Sequence, residues 1–197
     1  MNALTIALPC TLAVGLLLGR SQEPGSSGIP AERVTSEVRR TDVGERILVH
    51  EAWLEAPVEE VWDAYTTEEG WTAWASPQAR IDLRCGGELL SAYQGVTLGE
   101  EGTNRLTVVN YVPLEVLTLQ ADVSKNWPEV MKRDAENLFN VILFDELPGG
   151  WTHVRSFGIG YSDAPQYERM MGFFEKANAD LMQGLRRYVE RGERKEW

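Results

Sequence analysis

Cysteine and histidine are nearly missing from this chain, which has two of each in 197 residues. So few ligands exclude a zinc ribbon or finger, which needs four Cys or His at short spacings. They equally exclude the disulfide framework of a small secreted domain. His50 and His153 lie far apart on strand-like patterns, and "HEAWL" at His50 lacks the second histidine of a metalloprotease helix. No metal site is expected. Nor is there a glycine-rich phosphate cradle, and "GSSG" at Gly25 stands in a spacer, not on the strand-to-helix turn of a serine hydrolase. Positive charge is short too: 19 Lys and Arg against 30 Asp and Glu leave a net charge of −11. Nucleic acid is thereby excluded as a partner, because affinity there rests on cations that neutralise phosphates. Docking on anionic lipid is disfavoured for the same reason. Carboxylates abound, yet no pattern pairs them for acid–base work, so no catalytic residue and no cofactor is assigned.

One apolar run stands out. Leu4 to Gly19, "LTIALPCTLAVGLLLG", has the length of a signal-peptide core and is short of a full membrane span. Gly19 and Ser21 are small residues two apart, which suits cleavage after Ser21. No Lys or Arg precedes the run and Arg20 follows it, so an uncleaved N-terminal anchor stays open as the alternative. Either reading places the rest of the chain outside the cytoplasm, periplasmic or extracellular, with the membrane touched only through that anchor. Cys10 lies inside the run, not at its end where acylation would need it, and the exported part keeps only Cys85.

Four segments follow: 1–21 signal or anchor, 22–44 flexible linker rich in Gly, Ser and Pro and then in charge, 45–192 folded domain, and 193–197 tail. Arg46 to Ala56 alternates as a strand, with Leu48, His50, Ala52 and Leu54 on one face. Spacing then becomes helical: Pro57 opens a helix whose stripe is Val58, Val61, Trp62 and Tyr65, and a second short helix ends before Pro77. About six strand patterns follow, interrupted at 127–137 by a helical insertion behind Pro128. A long helix over roughly 165–191 closes the domain, its stripe running through Tyr167, Met170, Phe174, Ala177, Leu181, Leu185 and Tyr188, with Asp163 as its cap. Gly184 inside it signals something packed close. A long amphipathic helix across a curved antiparallel sheet is an α+β architecture.

Aromatic residues recur in nearly every element, and most belong to the core. A helix over a strongly curved sheet seldom fills the space beneath it, however, and aromatic-lined pockets are the usual ligand sites. "APVEEVWDAYTTEEGWTAWASP", "DLRCGGEL", "THVRSFGIGY" and "YERMMGFFEKANADLMQGLRRYVE" together resemble the SRPBCC (START-like) superfamily, over about residues 46–191. The branch resembled is that of the homologues of the activator of the heat shock protein 90 ATPase. The resemblance implies a helix-grip fold: a curved antiparallel sheet around a long C-terminal helix, with two short helices after the first strand and a hydrophobic cavity within. Cys85 stands where this branch usually has proline. Relatives in this branch are mostly cytoplasmic, so the export segment counts against chaperone activation.

The expectation is an exported protein that binds a small hydrophobic molecule between sheet and helix. The cavity wall is expected from Trp71, Trp74, Tyr93, Tyr111, Phe157, Met170, Phe173 and Phe174. Trp74 is expected to plug the core beside Trp71, which borders the entrance. Two other readings stay open. One is a cyclase- or hydrolase-type enzyme acting on a hydrophobic carbonyl compound through inward-pointing Arg155, His153 or Asp145. The other is a protein-interaction module with an exposed apolar patch and no void.

Overall fold

The computed structural model describes residues 28–123 and 127–197. The signal or anchor segment with Cys10, and the start of the spacer with Gly25, lie outside them. Eight antiparallel strands form one sheet in the order β1-β2-β8-β7-β6-β5-β4-β3. They are β1 (Val34–Arg40), β2 (Arg46–Leu54), β3 (Gln78–Ile81), β4 (Glu88–Ala92), β5 (Asn104–Val112), β6 (Val116–Asp122), β7 (Phe139–Leu147) and β8 (Trp151–Tyr161). Helices α1 (Val58–Thr66) and α2 (Glu68–Trp74) follow β2, α3 (Glu129–Asp134) follows β6, and α4 (Gln166–Arg191) closes the domain. This is the helix-grip α+β fold. Among the described residues no helix is long and apolar enough to cross a membrane.

Strand β1 corrects the linker. Val34 to Arg40, inside the stretch read as spacer, pairs residue for residue with β2, from Val34 opposite Ala52 to Arg40 opposite Arg46. Its charge is that of an edge strand: Glu37, Arg39 and Arg40 face water while Val34 is buried. Arg33 ties its start down, donating from Nε to the Trp53 carbonyl at 2.9 Å and lying over the Trp151 ring at 4.2 Å. The tail also folds back. Lys195 N–H donates to the Ala73 carbonyl (2.8 Å) and Trp197 Nε1 to the Thr72 carbonyl (3.2 Å), which sets Trp197 against Tyr93.

The two short helices form as their spacing predicts, with Val58, Val61, Trp62 and Tyr65 buried. Thr67 caps α2, its hydroxyl accepting from Gly70 N–H at 3.0 Å. Gly70 lets α1 and α2 touch, because a Cβ there would sit 2.4 Å from the Asp63 carbonyl oxygen. At Gly160, with φ +89°, a Cβ would lie 1.7 Å from the Asn137 carbonyl oxygen, so no side chain fits. Asp163 does not cap α4: Pro165 precedes its first turn, and no side chain closes it.

Two apolar clusters hold α4 to the sheet. At the α1–α2 end, Leu54, Val61, Trp62, Tyr65, Trp74, Leu117, Val154, Met182 and Leu185 pack together. At the other end, Leu48, Val130, Met131, Leu138, Tyr167 and Met171 do so. Between Met171 and Met182 no α4 residue is fully buried. The helix bridges a gap there.

Candidate functional site

That gap is a cavity of two lobes, each of about 190 Å³. The upper lobe, toward α2, is walled by Tyr65, Trp71, Trp74, Tyr93, Leu181 and Met182. The lower lobe, toward α3, is walled by Leu48, Leu119, Trp127, Met131, Tyr161 and Phe174. His50, Leu106, Asn140, Ser156 and Asn178 line both. The waist between the lobes is therefore polar, and it falls where the two apolar clusters stop.

Strand pairing builds that waist. His50 sits directly opposite Ser156 on β8, and Asn140 on β7 is opposite Gly158. Their side chains share the inward face, where cross-strand neighbours stand about 5 Å apart. Ser156 Oγ donates to Asn140 Oδ1 at 2.9 Å. His50 is only 2% exposed. Its ring lies against the Glu175 backbone carbonyl of α4, and among the described residues Nε2 has no hydrogen-bond partner. Burial outweighs the opposing pull of that carbonyl and holds the imidazole below its ordinary pKa, so the ring is neutral at pH 7. A neutral ring that donates through its other nitrogen carries a lone pair at Nε2.

Most polar atoms of the aromatic wall are already committed. Trp74 Nε1 donates to the Ala64 carbonyl at 2.9 Å, Tyr93 Oη to the Ala75 carbonyl at 3.1 Å, and Tyr65 Oη to Met182 Sδ at 3.5 Å. Burial pushes the Tyr161 hydroxyl up to about 12, so it too is neutral at pH 7. Trp71 Nε1 differs: it is buried and, among the described residues, has no hydrogen-bond partner. Its ring packs 5.3 Å from Trp74 and 6.1 Å from Tyr65.

The eight expected wall residues divide. Trp71, Trp74 and Tyr93 meet in the upper lobe and Phe174 in the lower. Trp74, 4% exposed, is the more deeply buried of the two tryptophans, and Trp71 is half-buried. Tyr111 packs instead beside Trp62 at the α1 end, its hydroxyl 3.4 Å from the Leu83 carbonyl. Phe157 lies on the outer face of the sheet, between Val49 and Val141. Met170 packs at the edge of the lower cluster, outside both lobes, while its neighbour Met171 is buried. Phe173 is 68% exposed. Arg155, His153 and Asp145 all face outward with Phe157. Arg155 is paired with Asp145 at 2.8 Å, and His153 with Glu51 at 2.9 Å while stacked 4.2 Å from Trp53.

His50, Asn140, Ser156 and Asn178 were not among the expected wall residues. One signal was readable for the first: His50 is the polar interruption on the Leu48–Ala52–Leu54 face of β2. Among the described residues no group of His, Cys, Asp and Glu could hold a metal ion.

Comparison with known proteins agrees with this geometry. The solution structure of the Aha1 dimer from Colwellia psychrerythraea is similar at a TM-score of 0.60 and 17% identity, covering 75% of this chain and 98% of that one. The crystal structure of CalU16 from Micromonospora echinospora is similar at a TM-score of 0.58 and 21% identity, covering 84% and 88%. At such identities the likeness is one of fold. No curated protein sequence matches the chain. Residues 55–190 match the family described as "Activator of Hsp90 ATPase homolog 1-like protein". With its sheet, its gripping helix and its cavity all in place, the chain belongs to that family, whose fold is that of a ligand-binding or interaction module.

Proposed function

We propose that this is an exported helix-grip protein that binds a small hydrophobic molecule in the two-lobed cavity and does not transform it. The observation that carries the reading is the unfilled stretch beneath α4, walled by Tyr65, Trp71, Trp74 and Tyr93 above and by Trp127 and Phe174 below. Apolar walls with a few polar groups are what ligand pockets present. The absence of chemistry is supported by one hydrogen bond. Ser156 gives its proton to Asn140, not to His50, so no hydroxyl at the waist is activated as a nucleophile. The residues the enzyme reading named point away from the cavity: Arg155 is paired with Asp145, and His153 is hydrogen-bonded to Glu51, on the outer face.

Export rests on the Leu4–Gly19 run. N-terminal sequencing of the protein from its native host checks it: a start at Gln22 marks a cleaved signal, and a start at Met1 in the membrane fraction marks an anchor. Binding is tested by titrating the purified protein with Nile red and by mass spectrometry of an organic extract. Saturable fluorescence or a stoichiometric small molecule is the expected result. Neither appearing would remove the reading.

A further inference from the structure

Two residues whose buried polar atoms have no partner line one lobe. Among the described residues three buried side-chain nitrogens lack a hydrogen bond: Arg46 Nε, His50 Nε2 and Trp71 Nε1. The Arg46 guanidinium is otherwise occupied, bonding the Ser162 carbonyl at 2.6 Å and Glu168 at 3.2 Å. His50 and Trp71 both line the upper lobe. A buried polar atom left unpaired costs roughly 1–3 kcal/mol, and native structures hold few of them. The two are also complementary: an imidazole lone pair accepts and an indole N–H donates. No Asp, Glu, Lys or Arg lines either lobe among the described residues. A charged ligand would lose its hydration there and find no counter-charge.

We propose that the upper lobe selects a neutral aromatic or polycyclic molecule with one hydroxyl, received by His50 Nε2, and one carbonyl or ether oxygen, received from Trp71 Nε1. This rests on the ligand-binding reading and adds the chemistry of the ligand to it. The aromatic walls take the ring system. His50 reads the donor because the Glu175 carbonyl against its ring favours the proton on the other nitrogen, leaving Nε2 to accept. Trp71 reads the acceptor because Trp74, the neighbouring indole, has already given its N–H to Ala64. A site built to bond a hydroxyl rejects the analogue that lacks it, since the protein atom is then left unpaired.

The probes are 6-hydroxy-2-acetylnaphthalene, which carries both groups, and its methyl ether, which keeps the carbonyl and lacks the donor. In fluorescence titrations at pH 7 the wild-type protein is expected to bind the naphthol about tenfold more tightly than the ether. In His50→Leu that preference falls to within about twofold. In Trp71→Phe both compounds bind several-fold more weakly while the preference remains. The wild-type comparison stands without any variant. Equal affinity for the two probes, or a preference that survives His50→Leu, overturns the proposal. If neither naphthalene binds while Nile red saturates, the proposal falls and the ligand-binding reading stands. If nothing binds, that reading falls and takes the proposal with it.

Discussion

The two faces of the β2–β8 strand pair carry one histidine each, and the two are treated in opposite ways. On the outer face His153 stacks on Trp53, pairs with Glu51, and is flanked by Arg155 paired with Asp145. Each of these polar groups has its partner. On the inner face His50 is buried, neutral, and leaves Nε2 with nothing. The outer face is dense in charge and chemically finished, whereas the inner face is nearly free of charge and has one bond unmade. Charged residues thus draw attention to the outer face, whereas the cavity lies against the inner one.

Several perturbations sharpen the contrast. The largest loss is expected where the inner face is dry. Leu54 is fully buried in the upper cluster, and Leu54→Ala should cost about 2–5 kcal/mol in chemical denaturation, as large-to-small core changes do. Next come the two tryptophans, which differ in whether the N–H is used. Trp74→Phe strands the Ala64 carbonyl inside the protein and should cost roughly 1–3 kcal/mol. Trp71→Phe strands nothing and should stay within about 1 kcal/mol of wild type. Smallest is the outer pair: Arg155 and Asp145 are 35% and 42% exposed, so Arg155→Ala should cost less than about 1 kcal/mol in the same assay.

Acid separates the faces in a different way. An unfolded His50 takes up a proton near its ordinary pKa of 6.5, whereas the folded one is held lower. Its contribution to stability is therefore fully present above 6.5 and is lost as the pH falls from there toward the folded value. Asp134, lowered chiefly by its hydrogen bonds from Arg133, contributes pH dependence only as the pH falls through its ordinary value of 3.8 and below, outside the interval from pH 7.5 to 5.5. Subtracting the denaturation curves of His50→Leu from those of wild type between pH 7.5 and 5.5 should isolate the His50 loss. A flat difference would show that the ring is not buried in its neutral form.

Much of the fold was readable because its elements carry regular periods. The Val58–Val61–Trp62–Tyr65 stripe and the alternation of β2 survive unchanged in the structure. Strand β1 was not readable, since an edge strand with Glu37, Arg39 and Arg40 on it has the composition of a linker. It becomes a strand only because β2 offers it a ladder. The site was half legible. Aromatic character points to Trp71, Trp74, Tyr93 and Phe174, but type does not tell direction, and Phe157 faces out with its strand neighbours His153 and Arg155. In "RMMGFF" the inward position could be Met170 or Met171, one helical step of about 100° apart, and packing against Leu48 and Val130 selects Met171. From sequence alone His50 is not counted among the wall residues, because a lone histidine on an apolar face is ordinarily a satisfied one. Only coordinates show a bond that is missing.

The central claim is that His50 is kept for what it binds and not for what it holds together. Urea denaturation of His50→Leu at pH 7.5 tests it most directly. The Glu175 carbonyl still receives Ser36 Oγ at 3.1 Å, so the substitution leaves no new orphan and fills the waist with apolar volume. The account predicts a variant as stable as wild type or more stable by about 1–3 kcal/mol. A loss of about 2 kcal/mol or more would contradict it, because His50 would then be a structural residue whose second hydrogen bond is made within the protein itself.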